Sequence, residues 1–209
     1  MLRKLFTIYF MLLAVLAGAQ NFEGIIEFKK QQPGDSVNLV YSVNGNQVRV
    51  DEIRARSHNI FRSFLLDLKA GSCIFINHAK KEWTQLGNTG KPVVPASITV
   101  ESTKESKSLF GNKCNKHIVK NTADNSSIHY YVSSGRYMFF VPMLELLNQR
   151  EDFSTNYLAL PVKDGSFPFL AVKYDAAGKE VGRLEVTRIE KKVVSASVFD
   201  VPKDYKEVK

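Results

Sequence analysis

Apolar and polar residues alternate through the first two thirds of the chain, which is the period of a half-buried β-strand. The alternation predicts strands over Phe22 to Lys30, Ser36 to Asn44, Gln47 to Ile53, Ile60 to Lys69, Ser72 to Asn77, Glu82 to Leu86, Ser97 to Ser102, Lys113 to Asn121 and Ser127 to Val132. Gly, Asn, Asp and Pro punctuate these runs, as antiparallel strands joined by tight turns require. Asn44-Gly45-Asn46 supplies residues that tolerate positive φ, a hairpin signal. In the strand that precedes it, Val37, Leu39, Tyr41 and Val43 fall on one face, which should meet the core.

The period breaks at Arg136 to Gln149, where apolar residues come almost without interruption. Pro142 suits the first turn of a helix, so a short helix is expected from Pro142 to about Asn148. It has little polar surface, so it must be buried or cover something apolar. A polar link, Asn148 to Asn156, should follow, then two final strands in FPFLAVKYD and VGRLEVTRIEKKVV, then a short apolar tuck at SVFDVP. The fold expected is mainly β with minor α: a curved antiparallel sheet whose inner face is covered by Met138 to Leu147. One β-rich domain over residues 20–209 accommodates all of it.

The N-terminus changes the picture of where this fold works. Arg3 and Lys4 lead into the apolar run Leu5 to Leu16 and then Ala17-Gly18-Ala19, the layout of a secretory signal peptide over residues 1–19 cleaved before Gln20. The run is shorter than the roughly 20 residues a spanning helix needs, so the mature chain is expected to be exported and not membrane-spanning. The periplasm is the first expectation, with the extracellular space or cell surface next. Formal charge is +8, reduced by two when the leader is removed, and the lysines are dispersed in pairs such as Lys29-Lys30 and Lys80-Lys81. A nucleic-acid footprint clusters its charge, so none is expected; a solvated surface attracted to anionic envelope material fits better. Cys73 and Cys114 are the two cysteines. In an oxidising compartment they are a disulfide candidate, which would stabilise the fold by roughly 3 to 4 kcal/mol; the alternative is a pair of inert buried thiols.

Candidate chemistry adds little. Cys114 and His117 are three apart, a spacing that suits a metal in a turn or helix, but in a strand such residues point to opposite faces. His129 would come opposite His117 if the intervening turn centred near Ala123. Gly34-Asp35-Ser36 resembles an esterase nucleophile block, yet Ser36 opens an alternating strand and no histidine follows His129. There is no G-x-S-x-G, P-loop, G-x-G-x-x-G or H-E-x-x-H motif. Neither a metal, a cofactor nor an enzymatic activity is expected. Trp83, in an alternating strand, is expected in the core. Asn125 to Ser127 match a glycosylation pattern and mark an exposed turn.

Several segments together resemble a family of exported bacterial proteins known as domain of unknown function 4412. They are FEGIIEF at Phe22 to Phe28, YSVNGNQVRVD at Tyr41 to Asp51, FLLDLKAGSCIFINHAKKEWTQL at Phe64 to Leu86, KSLFGNKCNKHIVK at Lys107 to Lys120, and the closing FPFLAVKYD and VFDVPKDYKE. The family is similar in strand order to lipoprotein carriers, half-open β-barrels covered by helices. The resemblance implies an apolar concavity able to hold an acyl or lipid-like ligand. Phe139, Phe140, Met143, Leu144 and Leu147 are the residues expected to cover it. The function expected is therefore a non-enzymatic, exported binding or carrier domain of the cell envelope. The alternative is a structural or interaction module with a filled core, whose partner is an envelope protein or polysaccharide.

Overall fold

The computed structural model describes residues 21–87, 90, 92–148 and 151–208, so the expected signal peptide lies outside the described residues. Twelve strands form one open, curved sheet. In chain order they are β1 (Gly24–Gln32), β2 (Asp35–Asn44), β3 (Gln47–Arg54), β4 (Ile60–Asp67), β5 (Ser72–Asn77), β6 (Glu82–Leu86), β7 (Ile98–Leu109), β8 (Asn112–Asn121), β9 (Ser126–Ser133), β10 (Phe167–Tyr174), β11 (Glu180–Lys191) and β12 (Lys206–Glu207). Between β9 and β10 run two short helices, α1 (Phe140–Leu147) and α2 (Asp152–Tyr157). The order across the sheet is β12-β6-β5-β4-β3-β2-β1-β11-β10-β9-β8-β7, and every pairing is antiparallel except β12 with β6.

Local chemistry explains the joints. Gly45 takes φ +57 in the two-residue turn between β2 and β3, and the ladder resumes with Asn44 opposite Gln47. Gly24 sits at φ +143 where β1 presses on β11; a Cβ there would lie 2.0 Å from the Glu190 carbonyl oxygen. Only glycine permits that approach without moving one strand.

The concave side is lined by alternate residues, among them Ile26 and Phe28 of β1, Tyr41 and Val43 of β2, Val48 and Val50 of β3, and Phe64 and Leu66 of β4. Aromatic rings from the segment after β9 fill the hollow, where Tyr137 stacks on Phe167 at 4.5 Å and Phe140 meets Phe167 edge-on at 4.7 Å; within the sheet, Phe28 of β1 meets Tyr41 of β2 at 5.0 Å. These separations are those at which ring pairs attract beyond simple burial.

The convex side carries a second, smaller buried group. Leu65, Ile76 and Val194 are buried apart from the main cluster. Over this side runs the C-terminal strap, a 3₁₀ turn at Ala196–Phe199 followed by β12. The strap is tied by Asn44 Nδ2 donating to the Val194 carbonyl at 2.9 Å, and by Lys206 N and Val208 N donating to Lys81 and Trp83 carbonyls at 2.9 and 2.8 Å.

Several expectations are corrected. The helix starts at Phe140 rather than Pro142, which is tolerated because the first amides of a helix have no intrahelical partner anyway. The expected polar link contains α2, with Phe153 and Tyr157 buried. β7 runs on to Leu109 past an irregularity between Ser102 and Ser106. Trp83 is half-buried on β6 beside β12 instead of in the core. His117 lies opposite Tyr130 and His129 opposite Ile118, so the one-residue offset puts the two imidazoles on opposite faces. The expected disulfide is not formed: Cys73 and Cys114 are both free and buried, and seven strands of the sheet separate β5 from β8. Burial pushes the Cys73 thiol up to about 12 and the Cys114 thiol up to about 11. Both therefore stay protonated and unreactive.

Candidate functional site

Strand alternation makes the concave face of β1 to β4 apolar at one end and charged at the other. On β1 the face passes from Ile26 and Phe28 to Lys30; on β3 it passes from Val48 and Val50 to Glu52; on β4 it passes from Leu66 and Phe64 to Arg62. The helices close over this change of character. Between them and the sheet lies a pocket of about 200 Å³.

Its walls are apolar, with Val37, Leu39 and Tyr41 from β2, and Phe140, Leu144 and Leu147 from α1. Its rim is charged. Lys30 Nζ lies 2.9 Å from Glu151 Oε1, an ion pair that joins β1 to the start of α2. Arg62 Nε donates to Glu52 Oε2 across the β3–β4 pair. Ser154 Oγ donates to the other Glu151 oxygen at 3.2 Å. Burial, then the Glu151 and Glu52 carboxylates, holds the Tyr41 phenol far above its ordinary range, so it is a neutral wall residue at any physiological pH. α2 is anchored from below, where the buried Tyr130 hydroxyl donates to the Phe153 carbonyl at 2.9 Å.

Of the five residues expected to cover the concavity, Phe140, Leu144 and Leu147 line the pocket. Phe139 and Met143 lie in the core instead, Phe139 packed among Phe22, Tyr137 and Phe167. Lys30, Glu52, Arg62, Glu151 and Phe153 were missed by the sequence reading. A signal existed for the first three: each is a charge placed two residues along from an apolar residue on the same face. Nothing in the sequence joined Glu151 to them.

A second constellation, on the convex side, was also missed. Arg49 Nε donates to both oxygens of Asp51 at 2.8 and 3.0 Å, and its Nη1 donates to the Val198 carbonyl of the strap at 3.0 Å. Ser63 Oγ donates to Asp51 Oδ1 and lies 2.7 Å from His78 Nε2, and His78 Nδ1 lies 2.9 Å from the Tyr205 hydroxyl. Every group is satisfied when Nε2–H donates to Ser63 and the Tyr205 hydroxyl donates to Nδ1. Burial, then Arg49, pulls the His78 pKa down, which keeps it neutral. The arrangement differs from a nucleophilic triad, in which a carboxylate holds the far nitrogen of the histidine. Here the carboxylate binds the serine itself, and Ser63 is fully buried. Its chemistry is that of a clasp between sheet and strap.

Among the described residues no group of three or more His, Cys, Asp or Glu is placed to hold a metal ion, and no helix is long and apolar enough to cross a membrane.

The whole sheet with its covering helices is the unit that comparison identifies. Residues 22–205 match the family described as Domain of unknown function (DUF4412), and the chain belongs to it. No curated protein matches. Among solved structures, an uncharacterized conserved protein from Thermus thermophilus superposes with a TM-score of 0.54 at 10% identity, covering 89% of this chain and 90% of that one. MucB of Pseudomonas aeruginosa, solved in a complex with MucA, superposes with a TM-score of 0.51 at 8% identity, covering 88% of this chain. The match spans 57% of the MucB-containing chain. A putative outer membrane lipoprotein-sorting protein domain from Vibrio parahaemolyticus aligns over 88% of this chain and 92% of its own at 8% identity, but its TM-score of 0.34 is too low to carry an argument. At these identities the first two speak to the fold alone.

Proposed function

We propose that this protein is an exported cell-envelope binding or carrier domain for a hydrophobic, acyl or lipid-like ligand, acting without catalysis and most naturally in the periplasm. The observation that supports it best is the pocket between α1, α2 and the sheet: apolar walls end in a rim where Lys30 and Arg62 are each held by a carboxylate. Such a site pairs with an apolar tail inside and a polar head at the rim. The pocket's 200 Å³ lies below the range of about 300 to 1,000 Å³ usual for drug-sized ligands. One short tail, or the end of a longer one, is the proposed occupant. Each buried methylene would contribute about 0.8 kcal/mol before ordering costs.

Leu147 is the residue to change, because it lines the pocket while only half-buried, whereas Leu144 is also core and its loss would unfold the protein under either reading. With delipidated protein and a fluorescent fatty acid, saturable binding that Leu147→Asp abolishes, at an unchanged far-UV spectrum and a melting temperature within a few degrees, is expected. Absence of saturable binding up to the solubility of the probe would sink the proposal.

The small volume favours a second reading, an interaction module whose partner is another envelope protein or a polysaccharide. Native mass spectrometry of protein purified from its own envelope separates the two: a co-purifying small amphiphile supports the first, a macromolecular partner without one supports the second.

A further inference from the structure

About 20 Å from the pocket rim, at the other end of β1, a different kind of surface is assembled; the distance follows from the rise of some 3.3 Å per residue between Gly24 and Lys30. Two adjoining clefts meet there, sharing Phe22, Arg136 and Lys191. One adds Phe110 and Tyr137, the other Lys192 and Val193. The surface is built from four chain segments held in place by the backbone. Phe22 N donates to the Arg136 carbonyl at 2.7 Å, Tyr137 N donates to the Gly165 carbonyl at 3.0 Å, and Phe22 stacks on Tyr137 at 5.4 Å.

Its outer side chains are of two kinds. Phe110 is 51% exposed, on a residue held at φ +49 in the β7–β8 turn, and Val193 is 86% exposed. Met138, 43% exposed, belongs to the same end, because its sulfur lies against Gly165, where Gly135 also approaches. These are three of the six large hydrophobic residues that stand out from the surface among the described residues. The two clefts are also lined by three cations, Arg136, Lys191 and Lys192, and one carboxylate, Glu23. Lys192 pairs with Glu190 at 3.1 Å, while Arg136 and Lys191 are exposed.

Single exposed apolar residues need no explanation, but a group of them set among cations does. A small-molecule site would turn its apolar side chains inward around the ligand. Here Val193 stands almost fully in solvent, and Phe110 and Met138 each leave about half of their surface open, Phe110 with its ring 6.3 Å from the buried Phe169. That combination matches the headgroup boundary of an anionic bilayer, where apolar tips enter and Arg and Lys meet the negative surface. We infer that this end of the sheet docks peripherally on an anionic lipid surface, leaving the pocket rim turned toward the aqueous side. The inference does not rest on the pocket being a ligand site.

Co-sedimentation of the mature protein with vesicles tests it. Binding is expected to vesicles containing phosphatidylglycerol, weakened by salt, and absent with phosphatidylcholine alone. Since each cation near such a surface is worth about fivefold in affinity, Arg136→Ala with Lys191→Ala should weaken binding by at least about tenfold. Phe110→Ser with Val193→Ser should lower it further at an unchanged far-UV spectrum, whereas Leu147→Asp should leave it unchanged. No binding to the anionic vesicles at low salt, equal binding to neutral vesicles, or binding indifferent to both double variants would overturn the inference. So would inorganic phosphate at millimolar concentration abolishing the effect, since that marks a small-anion site.

Discussion

β3 shows two charged pairs on its two faces, one residue apart, and they have opposite fates. Arg49 and Asp51 point to the convex side, Glu52 to the concave side where it meets Arg62. In the convex pair both side chains are covered, at 14% and 12% exposure; in the concave pair Glu52 is covered at 9% while Arg62 stands 46% open. The convex charges are closed in by Ser63, His78, Tyr205 and the strap carbonyl of Val198. The concave charges line a pocket. Charge alternation along a strand is the same signal in both cases. What covers each face decides whether the charge fastens the fold or borders a site.

Breaking the convex pair is expected to have the largest effect. Asp51→Ala leaves Arg49 covered without its carboxylate and removes the acceptor of Ser63, so urea unfolding should show a loss of about 3 to 5 kcal/mol. A loss below about 1 kcal/mol would mean that the strap moves aside and water reaches Arg49. The matching change on the concave side, Glu52→Gln, should cost about 1 kcal/mol or less, because Arg62 can turn into solvent. Its main consequence should instead be on fatty-acid binding, and equal losses from the two variants would erase the distinction between the faces.

Tyr205→Phe removes the donor to His78 Nδ1 and should cost about 1 kcal/mol, read by urea unfolding at neutral pH. The clasp also has a pH sign. The His78 pKa is lowered in the fold, by burial first, then by Arg49, against Asp51. Neutral His78 is therefore favoured by folding, and this contribution is complete above the ordinary value of 6.5 and lost as pH falls through the lowered folded value. Stability measured from pH 7 down to pH 5 should fall, and His78→Gln should flatten that slope. The smallest effect is expected at Tyr157, whose buried hydroxyl has no hydrogen-bond partner among the described residues. Tyr157→Phe should be neutral or stabilising by up to about 1 kcal/mol, and a clear loss would reveal a polar partner for that hydroxyl.

Much of the sheet was legible because its elements are written locally. The Asn44-Gly45-Asn46 turn and the Val37-Leu39-Tyr41-Val43 face both stand as the alternation requires, with Tyr41 and Val43 in the core and Val37 and Leu39 in the pocket wall. α2 was not legible, because six residues of mixed polarity have no helical signal of their own and are fixed by Tyr130 holding the Phe153 carbonyl. The strap was not legible either, since β12 is only two residues long and exists through its pairing with Glu82 and Trp83. Phe139 and Met143 could not be told from Phe140 and Leu144 in an unbroken apolar run, where period carries no information about direction.

The sequence by itself determined the β character, the hairpin turn and which residues share a face, because the two-residue period and the turn residues act over a few bonds. It also carried the family's segments from Phe22 to Tyr205. Only the tertiary structure decided which face is roofed by helices and which by the strap, that Cys73 and Cys114 stay apart as thiols, and that Lys30, Glu52, Arg62 and Glu151 border one pocket. Those outcomes depend on which distant segments pack together, and packing between segments far apart in the chain leaves no local period to read.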